Sequence, residues 1–205
     1  YAMLKQTTLR ALAPLSLALA LATGGLALSA PALANQAARP AEAVSASATL
    51  TAPAPLVNAA ELKTLLGQPG VRVLDIRADK DYAAGHVPGA VNTPYGKYRG
   101  PKENPGQLPS EAALTQLLQA AGVDRDTHVV VVHAGSDHTD FGAAARVYWT
   151  LKVLRLNELS ILNGGVKGWT QAGLALDSAE VKVAVSNYAP TLDASLIATR
   201  DELSH

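Results

Sequence analysis

Five side chains that can ligate metals, transfer protons or attack a substrate follow the most apolar segment of the chain. They are His133, Ser136, Asp137, His138 and Asp140. Imidazole and carboxylate groups bind zinc and similar ions, and a serine hydroxyl beside a histidine can act as a nucleophile. The spacing matches no recognised metal motif, however, and Ser136 lacks the G-x-S-x-G turn. We therefore expect a strand end with solvated, capping residues and no metal or other cofactor; a metal site and a serine nucleophile are the alternatives.

Cysteine is absent from the 205-residue chain, which excludes disulfides, thiolate metal sites and a cysteine nucleophile. Lysine plus arginine and aspartate plus glutamate both number 17, so no global field attracts nucleic acid or an anionic membrane. We expect no nucleic-acid partner. Apolar residues make up 48% of the chain and charged residues 17%, a balance that favours one folded domain with some chain left over.

Residues 1–34 have the features of a signal peptide. Lys5 and Arg10 precede an apolar run over residues 11–28, and an Ala-Leu-Ala tripeptide ending at Ala34 supplies the small residues that a signal peptidase requires. We expect cleavage after Ala34 and an exported protein, periplasmic or secreted, with no stable membrane insertion afterwards. The rival interpretation is an uncleaved anchor, because the run has roughly the 18 residues that begin to span a bilayer.

The composition changes between residues 35–56 and residues 57–176. The first segment is rich in alanine, proline and serine and has almost no large apolar group, which predicts a linker. The second begins with Asn58 and Glu61, which are spaced to form a capping box at the start of a helix. We therefore place the start of the folded domain at residue 57.

Strands and helices alternate along residues 57–176. Four consecutive valines within residues 128–133 predict a central strand buried on both faces. Further strands are predicted over residues 71–76, from Ala90-Val91, and over 159–162. Helices are predicted over 79–84, after Ser110, over 143–156 with Thr139 or Asp140 as its cap, and around Trp169. This order predicts an α/β fold, with helices on both faces of a parallel sheet of about five strands.

Five local patterns occur in an order that resembles the rhodanese (sulfurtransferase) family. They are LDIR at 74–77, GHVPGAVN at 85–92, VVVVHAG at 129–135, AARVYWTLKVL at 144–154 and LNGGVKGWTQAGL at 162–174. The AARVYW and NGGVKGW patterns are most similar to the N-terminal half of tandem-domain sulfurtransferases that act on thiosulfate or 3-mercaptopyruvate. The resemblance implies a rhodanese-like fold, and in that group the first domain is typically inactive while the second carries the cysteine.

The family's chemistry depends on one cysteine in the loop after the central strand. The resemblance implies that the amides of this loop surround a single point, where a thiolate attacks a sulfur donor and holds the sulfur as a persulfide. The family pattern places Ala134 at the cysteine position, or His133 if the match slips by one residue. Gly135, Ser136, Asp137 and His138 complete the candidate loop, whose acidic residues should repel anions. We expect no catalytic residue here.

Other positions frame the candidate site. Asp75 and Arg77 are expected to form a structural ion pair or loop anchor, and the resemblance implies that His86 packs beneath the end of the sheet. Arg146 is expected to face either the loop or a partner domain. Arg155 stands where the family usually has a helix-ending glycine, a difference that affects a cap rather than the fold.

Residues 177–198 are largely polar, and the resemblance implies that they form an extended inter-domain linker and that residues 199–205, too few for a helix on their own, are the start of a truncated second domain. The first hypothesis is therefore a silent N-terminal half of an exported sulfurtransferase. Its partner is a second rhodanese-like domain, intramolecular or missing. The alternative is a stand-alone, non-enzymatic binding or scaffold module of the cell envelope. A third hypothesis, catalysis by another nucleophile, has no motif in its favour.

Overall fold

The computed structural model of the protein describes residues 52–198. The predicted signal peptide, most of the predicted linker before the domain and the predicted start of a second domain at residues 199–205 lie outside this range. Within residues 52–198, no helix is both long enough and apolar enough to cross a membrane.

In the described part of the chain, a five-stranded parallel sheet forms the centre of the fold, as the sequence predicts. Its strands are β1 (Leu56–Val57), β2 (Val71–Asp75), β3 (Val91–Asn92), β4 (His128–Val132) and β5 (Leu159–Leu162). Their order across the sheet is β1-β5-β4-β2-β3, so the valine-rich β4 lies in the middle, with a parallel neighbour on each side.

Within residues 52–198, five α-helices connect or follow the strands. They are α1 (Ala59–Leu65), α2 (Asp79–Ala84), α3 (Glu111–Ala120), α4 (His138–Val153) and α5 (Gly165–Gln171). The predicted caps of two helices are confirmed: Asn58 and Glu61 form the capping box of α1, and the Ser110 side chain accepts a hydrogen bond from the Ala113 amide.

Alternate residues of β4 pack into two separate apolar cores. Val129 and Val131 face the core that α3 and α4 cover, while Val130 and Val132 face the core that α1 and α5 cover. All four valine side chains are fully buried. The run of valines is therefore apolar throughout because helices cover the sheet on both sides.

Helix α4 begins five residues earlier than residue 143, where the sequence analysis placed its start. Its cap is Asp137, whose carboxylate accepts hydrogen bonds from the Thr139 and Asp140 amides at 2.8 and 3.0 Å. The predicted start at residue 143 and the prediction of Thr139 or Asp140 as the cap are therefore wrong. Asp137 is extended, with φ −161° and ψ −175°, and this leaves Asp140 in the first helical turn.

Strand β1 lies partly inside the segment predicted to be a linker. Leu56 pairs with Ile161 and Val57 with Leu162 along the edge of the sheet. The Ser160 hydroxyl also donates a hydrogen bond to the Ala54 carbonyl at 2.7 Å. The sheet therefore begins one residue before the expected domain boundary, in a strand too short to show any periodicity.

Residues 177–193, called the strap below, contain no α-helix or strand and pack along the domain. The Tyr188 hydroxyl donates to the Leu154 carbonyl at 2.9 Å, and the Ser186 hydroxyl donates to the Val123 carbonyl at 2.6 Å. The Asp193 amide donates to the Val153 carbonyl at 2.8 Å. The polar groups of the strap are thus fixed on the ends of α3 and α4, and its role as an inter-domain linker stays a prediction.

Candidate functional site

The candidate site is the loop of residues 133–137 between β4 and α4, called the β4–α4 loop below. The first turn of α5 holds it from one side: the Val166 amide donates to the His133 carbonyl at 2.8 Å, and the Lys167 amide donates to the Ala134 carbonyl at 3.0 Å. Gly165 permits this approach, because a Cβ atom there would lie 2.6 Å from the Gly135 nitrogen. The loop is therefore rigidly packed against α5.

Three successive backbone amides of the loop point at one carboxylate. The amides of Ala134, Gly135 and Ser136, called the amide cradle below, donate to Asp140 at 3.3, 2.6 and 3.1 Å respectively. Such a concave set of N–H groups before a helix favours an anion. In this chain the anion is the protein's own carboxylate.

His133 completes the surroundings of that carboxylate. Its Nδ1 atom lies 2.7 Å from Asp140 Oδ2, and because an ionised carboxylate only accepts hydrogen bonds, Nδ1 carries the shared hydrogen. The His133 ring is 2% exposed and meets the edge of Phe141 with 5.7 Å between ring centroids. Within residues 52–198, its Nε2 atom has no hydrogen-bond partner. The imidazole therefore serves to hold Asp140.

The hydrogen bonds around the two loop carboxylates favour their ionised forms. Burial raises the pKa of the Asp140 carboxyl, but the hydrogen bonds from His133, Gly135 and Ser136 outweigh it, so that this pKa lies below the ordinary value. The Asp140 and Thr139 amides similarly lower the pKa of the exposed Asp137 carboxyl. Both groups are negative at neutral pH, as the sequence analysis assumed.

Of the two residues that the family pattern offers for the cysteine position, Ala134 is the accessible one. It lines a shallow depression of about 310 Å³, together with Arg77, Asp81, Ala84, Gly85 and Leu176. His133 is buried and turned towards Asp140. A small molecule entering from this side would therefore meet a methyl group.

Asp75 and Arg77, called the clasp below, lie beside this depression at the end of β2. The Asp75 carboxylate is fully buried and accepts hydrogen bonds from Arg77 at 2.6 to 3.1 Å. The same guanidinium donates to the Gly85 carbonyl at 2.7 Å, and the Asn92 amide donates to the Asp75 and Arg77 carbonyls. The clasp thus joins β2 to the segment around Gly85 and to β3, the arrangement expected of a structural pair.

His86 is 1% exposed. It stacks on Tyr82 with ring centroids 3.9 Å apart, and Nδ1 lies 3.0 Å from the Tyr82 carbonyl. Its backbone pairs with Asp177 at the start of the strap, with both N–H to O distances at 2.8 Å. His86 is therefore buried and stacked on Tyr82, and its expected place beneath the end of the sheet stays a prediction.

Arg146 is directed away from the β4–α4 loop. Its guanidinium donates to the Gly106 carbonyl at 2.6 Å and lies over the Trp149 ring, 4.7 Å from its centroid. Trp149 in turn donates to the Leu196 carbonyl at 3.2 Å, and this surface lines a cavity of about 600 Å³ that includes Leu192. Of the two expectations for Arg146, facing the loop is wrong and facing a partner domain stays a prediction.

The loop residues do not assemble into a metal centre or a nucleophile with its base. Within residues 52–198, no three histidine, aspartate or glutamate side chains converge. His138 is exposed, and the Ser136 hydroxyl donates to Asp137 at 3.3 Å rather than to a histidine. The role of Asp140 was not predicted from the sequence. The signal that could have indicated it is an acidic residue three positions after a helix-capping aspartate, close enough to reach back into the loop.

Comparison with known proteins agrees with this architecture. The model of a family described as "Rhodanese-like domain" matches residues 58–172. The thiosulfate sulfurtransferase of Bos taurus is 34% identical over 147 residues, which cover 66% of this chain and 48% of the relative. The thiosulfate sulfurtransferase of Gallus gallus is 31% identical over 143 residues, covering 65% and 48%. The chain thus spans about half the length of these relatives.

Solved structures share the same fold. SseA from Escherichia coli, described among 3-mercaptopyruvate sulfotransferases, superposes with a TM-score of 0.64 at 21% identity, over 74% of this chain and 61% of its own. The anaerobic ergothioneine biosynthesis enzyme from Chlorobium limicola gives a TM-score of 0.55 at 22% identity, over 67% and 37%. With the family model covering more than half of its residues, the chain belongs to the rhodanese-like domain family.

Proposed function

We propose that this chain is the catalytically silent N-terminal half of an exported sulfurtransferase that uses thiosulfate or 3-mercaptopyruvate. The reactive cysteine then lies in a second rhodanese-like domain. The observation that carries the proposal is the state of the β4–α4 loop: Ala134 lines the depression where a thiol would be needed, and the chain has no cysteine. The relatives named above, about twice as long as the matched segment, support a second domain.

The loop also lacks a place for a negatively charged donor. The amide cradle already holds the Asp140 carboxylate, which is 20% exposed, and Asp137 adds a second negative charge at the surface. A thiosulfate ion approaching Ala134 would meet repulsion from both carboxylates rather than free N–H donors. The domain therefore contributes folding support and surface to a partner, and the chemistry belongs to the partner's loop.

The strap supports the same assignment, because it carries the chain across the domain in a fixed path. Its polar groups bond to the ends of α3 and α4, and it leads to the Trp149 surface at Leu192. A domain following in sequence would start beside that surface. Export is proposed from the charged, apolar and small-residue pattern of residues 1–34.

A sulfur-transfer assay tests the silence of this chain. The purified chain, with thiosulfate and cyanide, should form thiocyanate no faster than buffer, while a cysteine-bearing thiosulfate sulfurtransferase under the same conditions turns over. Thiocyanate formation by this chain in proportion to its concentration would contradict the proposal, because no thiolate is available to carry the sulfur.

The size of the protein in its source cells tests the two-domain assignment separately. An antibody raised against residues 52–198 should detect, in the envelope fraction, a polypeptide clearly longer than 205 residues, whose peptide map contains a cysteine. Detection of only a species no longer than this chain would refute the N-terminal-half assignment, whatever the result of the activity assay.

The alternative, a stand-alone binding module of the cell envelope, is favoured by one surface feature. Phe141 is 39% exposed, although one side of its ring contacts His133 next to the β4–α4 loop. Exposed aromatic side chains of this kind are enriched at protein–protein interfaces. Chemical crosslinking in envelope preparations should then capture a partner with the wild type and lose it with Phe141→Ala. Equal crosslinking by the two proteins, or none above background, counts against this alternative.

A further inference from the structure

The environment of Asp140 is unusual for a side chain in the first turn of a helix. Such residues ordinarily face solvent or bond to the amides of their own helix. Asp140 instead reaches back across the cap and accepts from three amides of the preceding loop and from a buried imidazole. The cap itself is supplied by Asp137, so helix α4 does not need Asp140 for that purpose.

The donors around Asp140 are arranged as they would be around a small oxyanion. Its Oδ2 atom has three donors, the Gly135 amide at 2.6 Å, His133 Nδ1 at 2.7 Å and the Ser136 amide at 3.1 Å, and Oδ1 accepts from Ala134. Sulfate, thiosulfate and phosphate bind to protein sites through the same kinds of donor.

We propose that the Asp140 carboxylate acts as an internal oxyanion ligand, which fills the amide cradle and so excludes small external oxyanions. This inference goes beyond the proposed function, since it holds whether or not a second domain is present. The contact between Asp140 and the amide cradle is therefore autoinhibitory, because the side chain competes for the N–H donors that an external anion would use.

The fixed position of the loop supports this role. The carbonyls of His133 and Ala134 accept from the first turn of α5. Gly135 has φ +82°, and an added Cβ there would collide with the Gly164 backbone. The three amides of the cradle therefore cannot turn away to find other acceptors. Without Asp140 they would be left to water or to an anion from solution, which is the condition for a vacant binding site.

Anion rescue of Asp140→Ala tests the proposal. Thermal unfolding is followed in a concentration series of sodium sulfate, with ionic strength held constant by sodium chloride. We expect a saturable rise in the Tm of this variant, about 3–5 °C at tenfold its dissociation constant, and no saturable rise for the wild type. The general stabilisation of all folded proteins by sulfate is removed by comparison with the wild type.

Asp137→Asn is the matched control. It removes one negative charge from the same loop and keeps a good helix cap, while Asp140 still fills the cradle. Its response to sulfate should equal that of the wild type. A saturable rise in Asp137→Asn, or in the wild type, equal to that of Asp140→Ala would overturn the proposal, as would the absence of any rise in Asp140→Ala.

The wild type provides a second readout that needs no variant. In its amide NMR spectrum, the Gly135 and Ser136 signals should not move when sulfate or thiosulfate is added, because their N–H groups are already bonded to Asp140. Saturable movement of these two signals in the wild type would show that an external anion enters the cradle, and would contradict the proposal even if Asp140→Ala failed to fold.

Discussion

Two carboxylates lie at the carboxyl ends of the adjacent strands β2 and β4, and their surroundings differ in a way that separates fold from site. Asp75 is fully buried and is neutralised by the guanidinium of Arg77, two residues away. Asp140 is 20% exposed and is held mainly by backbone amides of a loop. The first carboxylate joins segments of the domain together, while the second occupies donors that a ligand would otherwise use.

This difference predicts that the two carboxylates respond differently to removal. Removing one partner of a buried ion pair leaves a buried charge uncompensated, which costs several kcal/mol. Removing a carboxylate from an amide cradle leaves neutral donors at a partly accessible place, where water or an anion can replace it. The clasp should therefore be essential for stability, and Asp140 should be replaceable from solution.

The largest expected effect is that of breaking the clasp. Asp75→Asn leaves the mostly buried Arg77 guanidinium, 12% exposed, without its counter-charge and should lower the free energy of unfolding by about 3 kcal/mol or more. Urea unfolding followed by circular dichroism measures this change. Glu180→Gln, which breaks a pair 3.5 Å long between exposed residues, should change it by less than about 0.5 kcal/mol. Equal losses in the two variants would refute the structural role of the clasp.

The packing of the loop on α5 gives the next largest effect. Gly165 has φ +56°, and an added Cβ would lie 2.6 Å from the Gly135 nitrogen and 2.9 Å from the Ala134 carbonyl carbon. Gly165→Ala should therefore destabilise the domain by about 2 kcal/mol or more, from backbone strain and displacement of the loop together. Urea unfolding followed by circular dichroism measures this loss in the free energy of unfolding.

Gly67→Ala is the control for that variant. Gly67 has φ +75°, but an added Cβ would have no atom within 4 Å, so only the conformational strain of about 1 kcal/mol is expected. Subtracting the loss in the free energy of unfolding of Gly67→Ala from that of Gly165→Ala leaves the part that comes from the contact between α5 and the loop. Equal losses in the two variants would show that close packing of α5 against the loop does not contribute to the stability of the domain.

Acid should weaken the Asp140 contact in a defined direction. Because the folded-state pKa of Asp140 is lowered, its contribution is fully present above the pKa of the unfolded chain, near 4, and is lost as the pH falls through the folded-state value. The stability difference between the wild type and Asp140→Ala should thus shrink between pH 6 and pH 3, as measured by urea unfolding at each pH. A difference that grows on acidification would contradict this sign.

The smallest effect on the free energy of unfolding is expected at an exposed ion pair, a third carboxylate to set beside Asp75 and Asp140. Arg155 has φ 63° after the end of α4, and its guanidinium lies 3.5 Å from Asp193 in the strap. Arg155→Gly should raise the free energy of unfolding by about 0.5–1 kcal/mol, because relief of left-handed strain outweighs loss of an exposed pair. Arg155→Ala, which keeps the strain, should stay within about 0.5 kcal/mol of the wild type, and a gain equal to that of glycine would refute strain as the cause.

The sequence predicted the elements whose signals are local. Four valines indicated the central strand, and both Asn58 with Glu61 and Ser110 indicated helix starts, because burial on two faces and side-chain capping leave residue types at fixed spacings. The start of α4 was mistaken because Asp137, Thr139 and Asp140 are all good caps. Asp140 does not cap the helix because its carboxylate accepts hydrogen bonds from the loop amides, whose position is set by α5.

Long-range pairing accounts for the other misses. Strand β1 has two residues, and its partner β5 lies about a hundred positions later in the chain, so no periodicity marks it. The strap is polar, and its place is decided by single hydrogen bonds such as the one from Tyr188 to Leu154. The family resemblance implied that the loop amides surround one point, and the acidic residues were expected only to repel anions. That Asp140 itself occupies this point depends on a side-chain direction that the sequence does not specify.

Persulfide formation in cysteine variants tests most directly whether the site is silent for two local reasons, a missing thiol and a filled cradle. Ala134→Cys and Ala134→Cys/Asp140→Ala are each incubated with thiosulfate and examined by intact-protein mass spectrometry. In the reaction, the thiolate attacks the outer sulfur, the sulfur–sulfur bond breaks and sulfite leaves with the bonding electrons. We predict that the double variant gains the mass of one sulfur atom and the single variant gains little, because Asp140 repels both thiolate and donor. Equal or greater gain in the single variant would contradict the account.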